Sequence, residues 1–271
     1  MAVAPHSETE GIFVLLPVLN EIDNIGELLD RIAHALPPAP YTICIVDDGS
    51  RDGTVEYLEK RISEARERIH LIRRVKTAHG SQRGGALHVS LRWGLEHTDH
   101  GIFVEIDGDL SHRPEELPEG IRRIRGGADV AIACKYLPGS RVTNRPWARR
   151  LVSRVCSFAV GAVISPRVRD YSNGYRFYTR RAAELVAEHE IRYASPIYLT
   201  EVLALWLRQR LRLAEFPTTY VGRNEGISKL RLVDLVKASF AIFEVSWRYH
   251  FAGFRNTRLS ARANAARSIG A

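Results

Sequence analysis

The chain has 271 residues, 45% apolar and 26% charged, with 12 Pro and 20 Gly dispersed along it, which excludes a disordered, collagen-like or low-complexity protein. No apolar run approaches the roughly 18 residues that span a bilayer. The N-terminus MAVAPHSETE is too polar and acidic for a signal peptide, and Cys44, Cys134 and Cys156 lack CxxC spacing, so they read as reduced core residues of a cytoplasmic protein. The net charge of +8 is unevenly laid out: residues 1–120 hold 12 Lys/Arg against 21 Asp/Glu, whereas residues 121–181 hold 14 against two. An acidic front and a basic middle suit a divided ligand, a cation with its carboxylates on one side and phosphates on the other. A solvated arginine-rich helix would give the same count. Nucleic acid is not expected, because the aromatics of the basic segment show no interleaved stacking pattern and no binding signature is present.

In chain order, GIFVLLP (11–17), YTICIV (41–46), IHLIR (69–73), GIFVEI (101–106) and ADVAIAC (128–134) read as short buried strands. Between them the spacing predicts helices over Ile22–Leu36, Thr54–Arg66, Ala86–His97 and Glu115–Arg125, with Asn20 or Asp23 available to cap the first. Strands alternating with crossover helices give an α/β fold with a mostly parallel sheet covered on both faces. Beyond residue 140 the pattern gives a helix over Trp147–Ile164, a polar-aromatic stretch DYSNGYRFY, and a helix over Pro196–Arg210. A strand pair around Leu211–Val221 and an amphipathic helix over Leu230–Phe251 follow. No linker divides the chain, so residues 1–254 are expected to form one domain and the Arg/Ala/Ser-rich tail 255–271 to be disordered.

In such sheets ligands sit at the carboxyl ends of the strands. Three acid-bearing loops should therefore share one edge: Pro17-Val-Leu-Asn20-Glu21, Asp47-Asp48-Gly-Ser, and Asp107-Gly108-Asp109. Two carboxylates at i and i+2 after a buried strand suit one hard cation, Mg2+ or Mn2+, that takes its other ligands from water and phosphate. A solvated Asp-Gly turn is the plain alternative. Asp47 and Asp48 suit a nucleoside, while Asp52, Thr54, Asn20 and Glu21 also fit ordinary helix starts.

PVLNE, VDDGSRDGT and DGDLSHRPEELPE, in this order, resemble the GT-A glycosyltransferases of family 2, and most of all the dolichol- or polyprenol-phosphate mannose synthases. DYSNGYRFY is similar to their Asp-x-x-x-Gly-Phe-Arg segment, with Tyr175 for Phe, and EFPTTYVGRNEGISKL to their Arg-x-x-Gly-x-Ser-Lys segment. The resemblance implies a Rossmann-like GT-A fold and inverting, metal-dependent transfer of a sugar, mannose from GDP-mannose foremost, onto a polyprenyl phosphate. It implies that Pro17, Asn20, Glu21, Asp47, Asp48, Asp107 and Gly108 bind the nucleotide-sugar, with Arg223, Ser228 and Lys229 closing over its diphosphate. Asp107 and Asp109 would hold the metal, with Asp109 also catalytic. Arg149, Arg150 and Arg176 would take the acceptor phosphate, and Asp170 and Arg176 would act in catalysis, Asp170 orienting the acceptor or serving as base.

The family's Gln after the DxD is replaced by Ser111, followed by His112, which makes His112 a candidate third metal ligand. TAHGSQRGGA departs from the usual Gly-Leu-Gly pattern and leaves Arg83 to face donor or acceptor; Lys135 stands where the family often has Arg. Many members carry transmembrane helices, so a lipid acceptor would require peripheral docking at the inner face of the membrane. The last helix (Leu232, Leu235, Val236, Phe240, Phe243, Val245, Trp247, flanked by Lys237, Arg248, Arg255 and Arg258) offers apolar area and charge for that, or for plain core packing. A soluble small-molecule acceptor is the alternative. A nucleotidyltransferase would want a Gly-rich basic loop after the first strand, which PVLNE is not, and a non-catalytic binding protein would not need an intact DGD.

Overall fold

A computed structural model describes residues 10–64, 68–74, 83–193, 197–222 and 232–252; side chains at 64, 148, 149 and 232–239 are not described. The front half alternates β1 (Ile12–Val18), α1 (Ile22–Ala35), β2 (Tyr41–Asp47), α2 (Thr54–Glu64), β3 (Ile69–Arg73), α3 (Arg83–His97) and β4 (Ile102–Glu105). A 3-10 turn (Pro114–Glu116), α4 (Leu117–Arg125), β5 (Val130–Cys134), β6 (Arg141–Thr143) and α5 (Trp147–Val163) follow. The rest is β7 (Arg176–Thr179), α6 (Arg180–Glu188), α7 (Tyr198–Arg208), β8 (Leu213–Pro217), β9 (Thr219–Val221), α8 (Leu232–Trp247) and a π-helical segment (Arg248–Ala252).

Seven strands form one sheet in the order β3-β2-β1-β4-β7-β5-β8, all parallel except β7, which runs antiparallel to both neighbours. Period-two alternation sends Phe13 and Leu15 of β1 into one core and Ile12, Val14, Leu16 and Val18 into the other. Each face is then covered by helices, which is why the strands read as unbroken apolar runs. β1, β2 and β4 are adjacent and parallel, so their carboxyl ends lie side by side. The α/β, mostly parallel architecture of the sequence reading is the observed one.

Three elements differ from expectation. DYSNGYRFY ends in a strand: Arg176–Thr179 inserts between β4 and β5, fully buried, because Arg176 and Thr179 are satisfied internally despite their polarity. The strands near Leu211–Val221 do not pair with each other. β8 joins β5, and β9 pairs with β6 in a small parallel ribbon. α3 starts at Arg83, ahead of its two glycines; a Cβ at Gly84 would lie 2.8 Å from the Tyr198 ring, so helix and loop approach too closely for a side chain. No helix among the described residues is long and apolar enough to cross a membrane.

Candidate active site

The first two loops meet through backbone amides that donate to side-chain oxygens. Asn20 N–H donates to Ser50 Oγ at 2.8 Å, Arg51 N–H to Asn20 Oδ1 at 2.8 Å, and Glu21 N–H to Thr54 Oγ1 at 3.0 Å. Neither Asn20 nor Asp23 caps α1; the Asp52 carboxylate of the second loop accepts from Ile22 N–H at 3.0 Å and from Thr54 N–H at 3.1 Å, starting two helices at once. Asn20 instead takes a left-handed conformation, φ 56°. Asp47, buried, accepts from the Gly49 and Ser50 amides and so shapes its turn, while Asp48 holds Arg74 in a two-point ion pair at 2.8 and 3.0 Å. The third loop touches the first at Gly108, where a Cβ would come within 3.2 Å of Val18 and 3.4 Å of both Glu21 and the Pro17 carbonyl. Pro17, Asn20, Glu21, Asp47, Asp48, Asp107 and Gly108 are thus brought to one edge.

Asp107 is the electrostatic centre. Its Oδ1 accepts from Arg83 Nε at 2.5 Å and its Oδ2 lies 3.1 Å from His112 Nε2. Burial alone would raise its pKa, but the Arg83 guanidinium and the His112 imidazole outweigh that and hold it well below the usual carboxylate range. Arg83 is itself fixed from behind. It donates to Tyr198 Oη at 2.7 Å and the Gly174 carbonyl at 3.3 Å, and Glu105, bonded by the Tyr178 and Tyr198 hydroxyls, lies 3.8 Å away. Burial would lower the Arg83 pKa, and these acids and phenols drive it upward instead. Asp109 accepts from Ser111 N–H at 3.0 Å. His112 is buried between the Tyr175 and Tyr220 rings, and its Nδ1 has no hydrogen-bond partner.

Hard carboxylate oxygens in a charged, partly open loop fit a Mg2+ or Mn2+ ion. Among the described residues no group of three or more His, Cys, Asp or Glu converges as a closed metal cage. An ion at Asp107 and Asp109 would therefore draw most of its ligands from a bound diphosphate. Each Asp107 oxygen has one partner and a lone pair to spare, so an ion would bind beside the Arg83 guanidinium and the His112 ring, which stands next to that carboxylate through Nε2.

The basic side lies across Tyr220. Lys135 Nζ and the Arg145 guanidinium sit 5.2 and 5.8 Å from its ring centre, and burial together with Asp109 and Asp107 raises its phenol pKa. Tyr220 and Arg145 went unnoticed in the sequence; the only signal was position, since β9 hydrogen-bonds through Val221 N–H to the Ser111 carbonyl. Arg150 is exposed and donates to the Arg145 and Val142 carbonyls at 3.1 and 3.3 Å, clamping this segment. A cavity of about 430 Å³ is lined by Tyr136, Arg154, Ser157, Gly161, Val168 and Arg169.

Two expectations need correction. Arg176 does not face an acceptor: fully buried, it donates to the Asn173, Leu199 and Tyr171 carbonyls, and burial lowers its pKa. It locks the loop before β7 onto α7. Asp170 is fully buried, and its oxygens already face the amides of Lys135, Ser172 and Asn173, the Ser172 hydroxyl, and Lys135 Nζ at 3.5 Å. With no surface exposed and four hydrogen bonds and the Lys135 ammonium around it, Asp170 is set back from an acceptor and holds Lys135 and the loop before β7 in place. Arg223, Ser228, Lys229 and the tail 255–271 lie outside the described residues, as do the side chains of Arg149, Leu232, Leu235, Val236 and Lys237.

The profile of Glycosyl transferase family 2 matches residues 13–186. Polyprenol monophosphomannose synthase of Mycolicibacterium smegmatis is 30% identical over 238 residues, covering 87% of each chain. Undecaprenyl-phosphate mannosyltransferase of Micrococcus luteus is 33% identical over 222 residues, covering 81% of this chain and 87% of that protein. Dolichol-phosphate mannosyltransferase of Pyrococcus furiosus is 31% identical, covering 81% of this chain but 59% of its own length. Among solved structures, glucosyl-3-phosphoglycerate synthase from Mycobacterium tuberculosis, in complex with Mn2+, UDP-glucose and phosphoglyceric acid, superposes with a TM-score of 0.62 at 19% identity, covering 88% of this chain and 80% of that one. The acid-lined sheet edge, the DGD loop and these likenesses agree: the chain belongs to glycosyl transferase family 2 and is a nucleotide-sugar-dependent glycosyltransferase.

Proposed function

We propose that this enzyme transfers mannose from GDP-mannose to a polyprenyl phosphate with inversion at the anomeric carbon. The donor's nucleoside lies against Pro17, Asn20, Glu21, Asp47 and Asp48, and its diphosphate against the DGD loop, closed by Arg223, Ser228 and Lys229. A divalent ion held by Asp107 and Asp109 would stabilise the charge that develops on the departing diphosphate. On the acceptor side Lys135 and Arg145, with Arg149 and Arg150 on α5, place the phosphate. One of its oxygens attacks the anomeric carbon as the bond to the donor's diphosphate oxygen breaks, and the electron pair leaves with the nucleoside diphosphate. An α-linked donor then yields a β-linked product.

The observation that carries this reading is Asp170. A hydroxyl acceptor needs a base, whereas a phosphate monoester with a second pKa of about 6 is already ionised at neutral pH. Asp170 is fully buried, with four hydrogen bonds and an ion pair to Lys135, so it is not presented to an acceptor hydroxyl as a base, which suits the phosphate. Three relatives named for polyprenol, undecaprenyl and dolichol phosphates support the same acceptor. A second reading, transfer to a soluble phosphorylated acid, is favoured by the fold neighbour bound to phosphoglyceric acid. A thermal-shift panel with GDP-mannose, UDP-glucose and UDP-N-acetylglucosamine plus Mn2+ tests the donor. GDP-mannose should stabilise the protein most, and preferential stabilisation by a UDP-sugar would overturn the assignment.

A further inference from the structure

Twelve large apolar side chains are strongly exposed among the described residues, and ten of them lie on α5, α8 or the π-helical segment that follows α8. On α5, Trp147, Leu151, Val155 and Phe158 recur at intervals of four, four and three and are 54–77% exposed, a single stripe on one helix face. From α8 onward, Phe240, Phe243, Trp247 and Phe251 recur at three, four and four and are 53–73% exposed. The two helices are joined where Ser246 Oγ donates to the Val163 carbonyl at 2.8 Å and His250 Nε2 meets the same oxygen at 2.8 Å. α8 is therefore held at the C-terminal end of α5, beyond Phe158.

Each helix has a separate inner face that packs on the core. The opposite side of α5 is packed through Val160 and Ile164. α8 buries Val245, and its one described acid, Glu244, is half-exposed and paired with Arg192 and Tyr193 at 2.5 Å each. Arg248 is bound to the buried Glu201 at 2.9 Å, alongside His189 at 2.9 Å. The inner faces are satisfied, and the outer faces are aromatic and aliphatic by composition.

We infer that the α5 stripe, continued by α8, is a docking surface for an anionic phospholipid leaflet. Charge complementarity selects this occupant. Residues 141–169 hold seven arginines and no acid, so the apolar stripe rises from a uniformly cationic segment. Trp and Phe flanked by Arg is the composition of an interfacial helix, whose apolar side chains enter the headgroup boundary while guanidinium groups stay with lipid phosphates. A second copy of the chain fits poorly, because a two-fold interface would set this segment against its own like charge. A cavity is lined by Arg154, Ser157 and Gly161 of α5 and by Tyr136, whose ring lies 6.0 Å from Lys135 Nζ, so a leaflet on this face would be near the proposed acceptor lysine. That last link rests on the lipid-phosphate reading; the surface itself does not.

The test is flotation of the purified full chain with extruded vesicles, either neutral phosphatidylcholine or containing about one-third phosphatidylglycerol. The chain should float with the anionic vesicles and far less with the neutral ones. The triple variant Leu151→Ser/Val155→Ser/Phe243→Ser should lose partitioning on the order of ten-fold, with its melting temperature and nucleotide-sugar binding unchanged. An environment-sensitive dye on Cys156, the exposed thiol of α5, should shift to the blue on anionic vesicles alone. Equal flotation of wild type and variant would overturn the assignment. So would absence from both vesicle types, with the chain monomeric or forming a dimer that the variant dissolves. Transfer to a short, water-dispersed polyprenyl phosphate is read in the same preparations. Transfer without flotation removes the surface and leaves the acceptor standing; flotation without transfer does the reverse.

Discussion

Asp107 already faces the Arg83 guanidinium where a cation would bind. Arg83 is held in place by Tyr198, Gly174 and the nearby Glu105, so the guanidinium is a preset counter-ion that a divalent ion must meet. Arg83→Met removes that competitor and also a cation close to the diphosphate. Mn2+ titrated in the absence of donor, followed by electron paramagnetic resonance, should bind about an order of magnitude more tightly, while turnover falls by a similar factor. Unchanged or weaker Mn2+ binding would contradict this assignment. The acids of the site were legible because Asp and Glu after buried strands have few structural uses. Arg83 was only half legible: its chemistry was plain, but its target depends on a helix start hidden by two glycines. Arg176 and Asp170 misled for the opposite reason. Charged residues are rarely fully buried, and nothing in a linear sequence marks one whose partners are backbone carbonyls or amides.

At the scale of elements, the parallel core was readable because its strands are continuously apolar and its helices periodic. β7 escaped, since a four-residue strand containing Arg and Thr shows no apolar run. The pairing of β8 and β9 escaped because adjacency in sequence suggests a hairpin, whereas each strand finds a distant parallel partner. The close seating of α3 on β1 was also invisible. A Cβ at Gly94 would sit 2.6 Å from the Phe13 ring, which has no room to retreat within a buried core. Gly94→Ala should cost about 1–3 kcal/mol through overpacking, lowering the melting temperature while nucleotide-sugar binding at the far sheet edge persists. An unchanged melting curve would show that α3 stands off further than described.

For the whole molecule, the acidic first half and basic middle segment of the sequence meet at Tyr220, which feels Asp109 and Asp107 and lies beside Lys135 and Arg145. Burial also sets the molecule's alkaline limit. The Cys44 and Cys134 thiols are pushed up to about 12 from 9.0 by burial. The folded state holds their protons more tightly than the unfolded one, so their contribution is complete below pH 9 and is lost as pH rises toward 12. Melting temperature should hold steady up to that lower bound and fall above it, and double replacement of both cysteines by alanine should flatten the fall. The central claim is metal-dependent transfer of a sugar to a lipid phosphate. It is tested most directly by release of GDP from GDP-mannose, measured with and without Mn2+ and a short polyprenyl phosphate, beside Asp109→Ala. Release that needs both the ion and the lipid phosphate, and that collapses in the variant, is the predicted result. Release indifferent to the lipid phosphate, or supported only by a soluble phosphorylated acid, would contradict it.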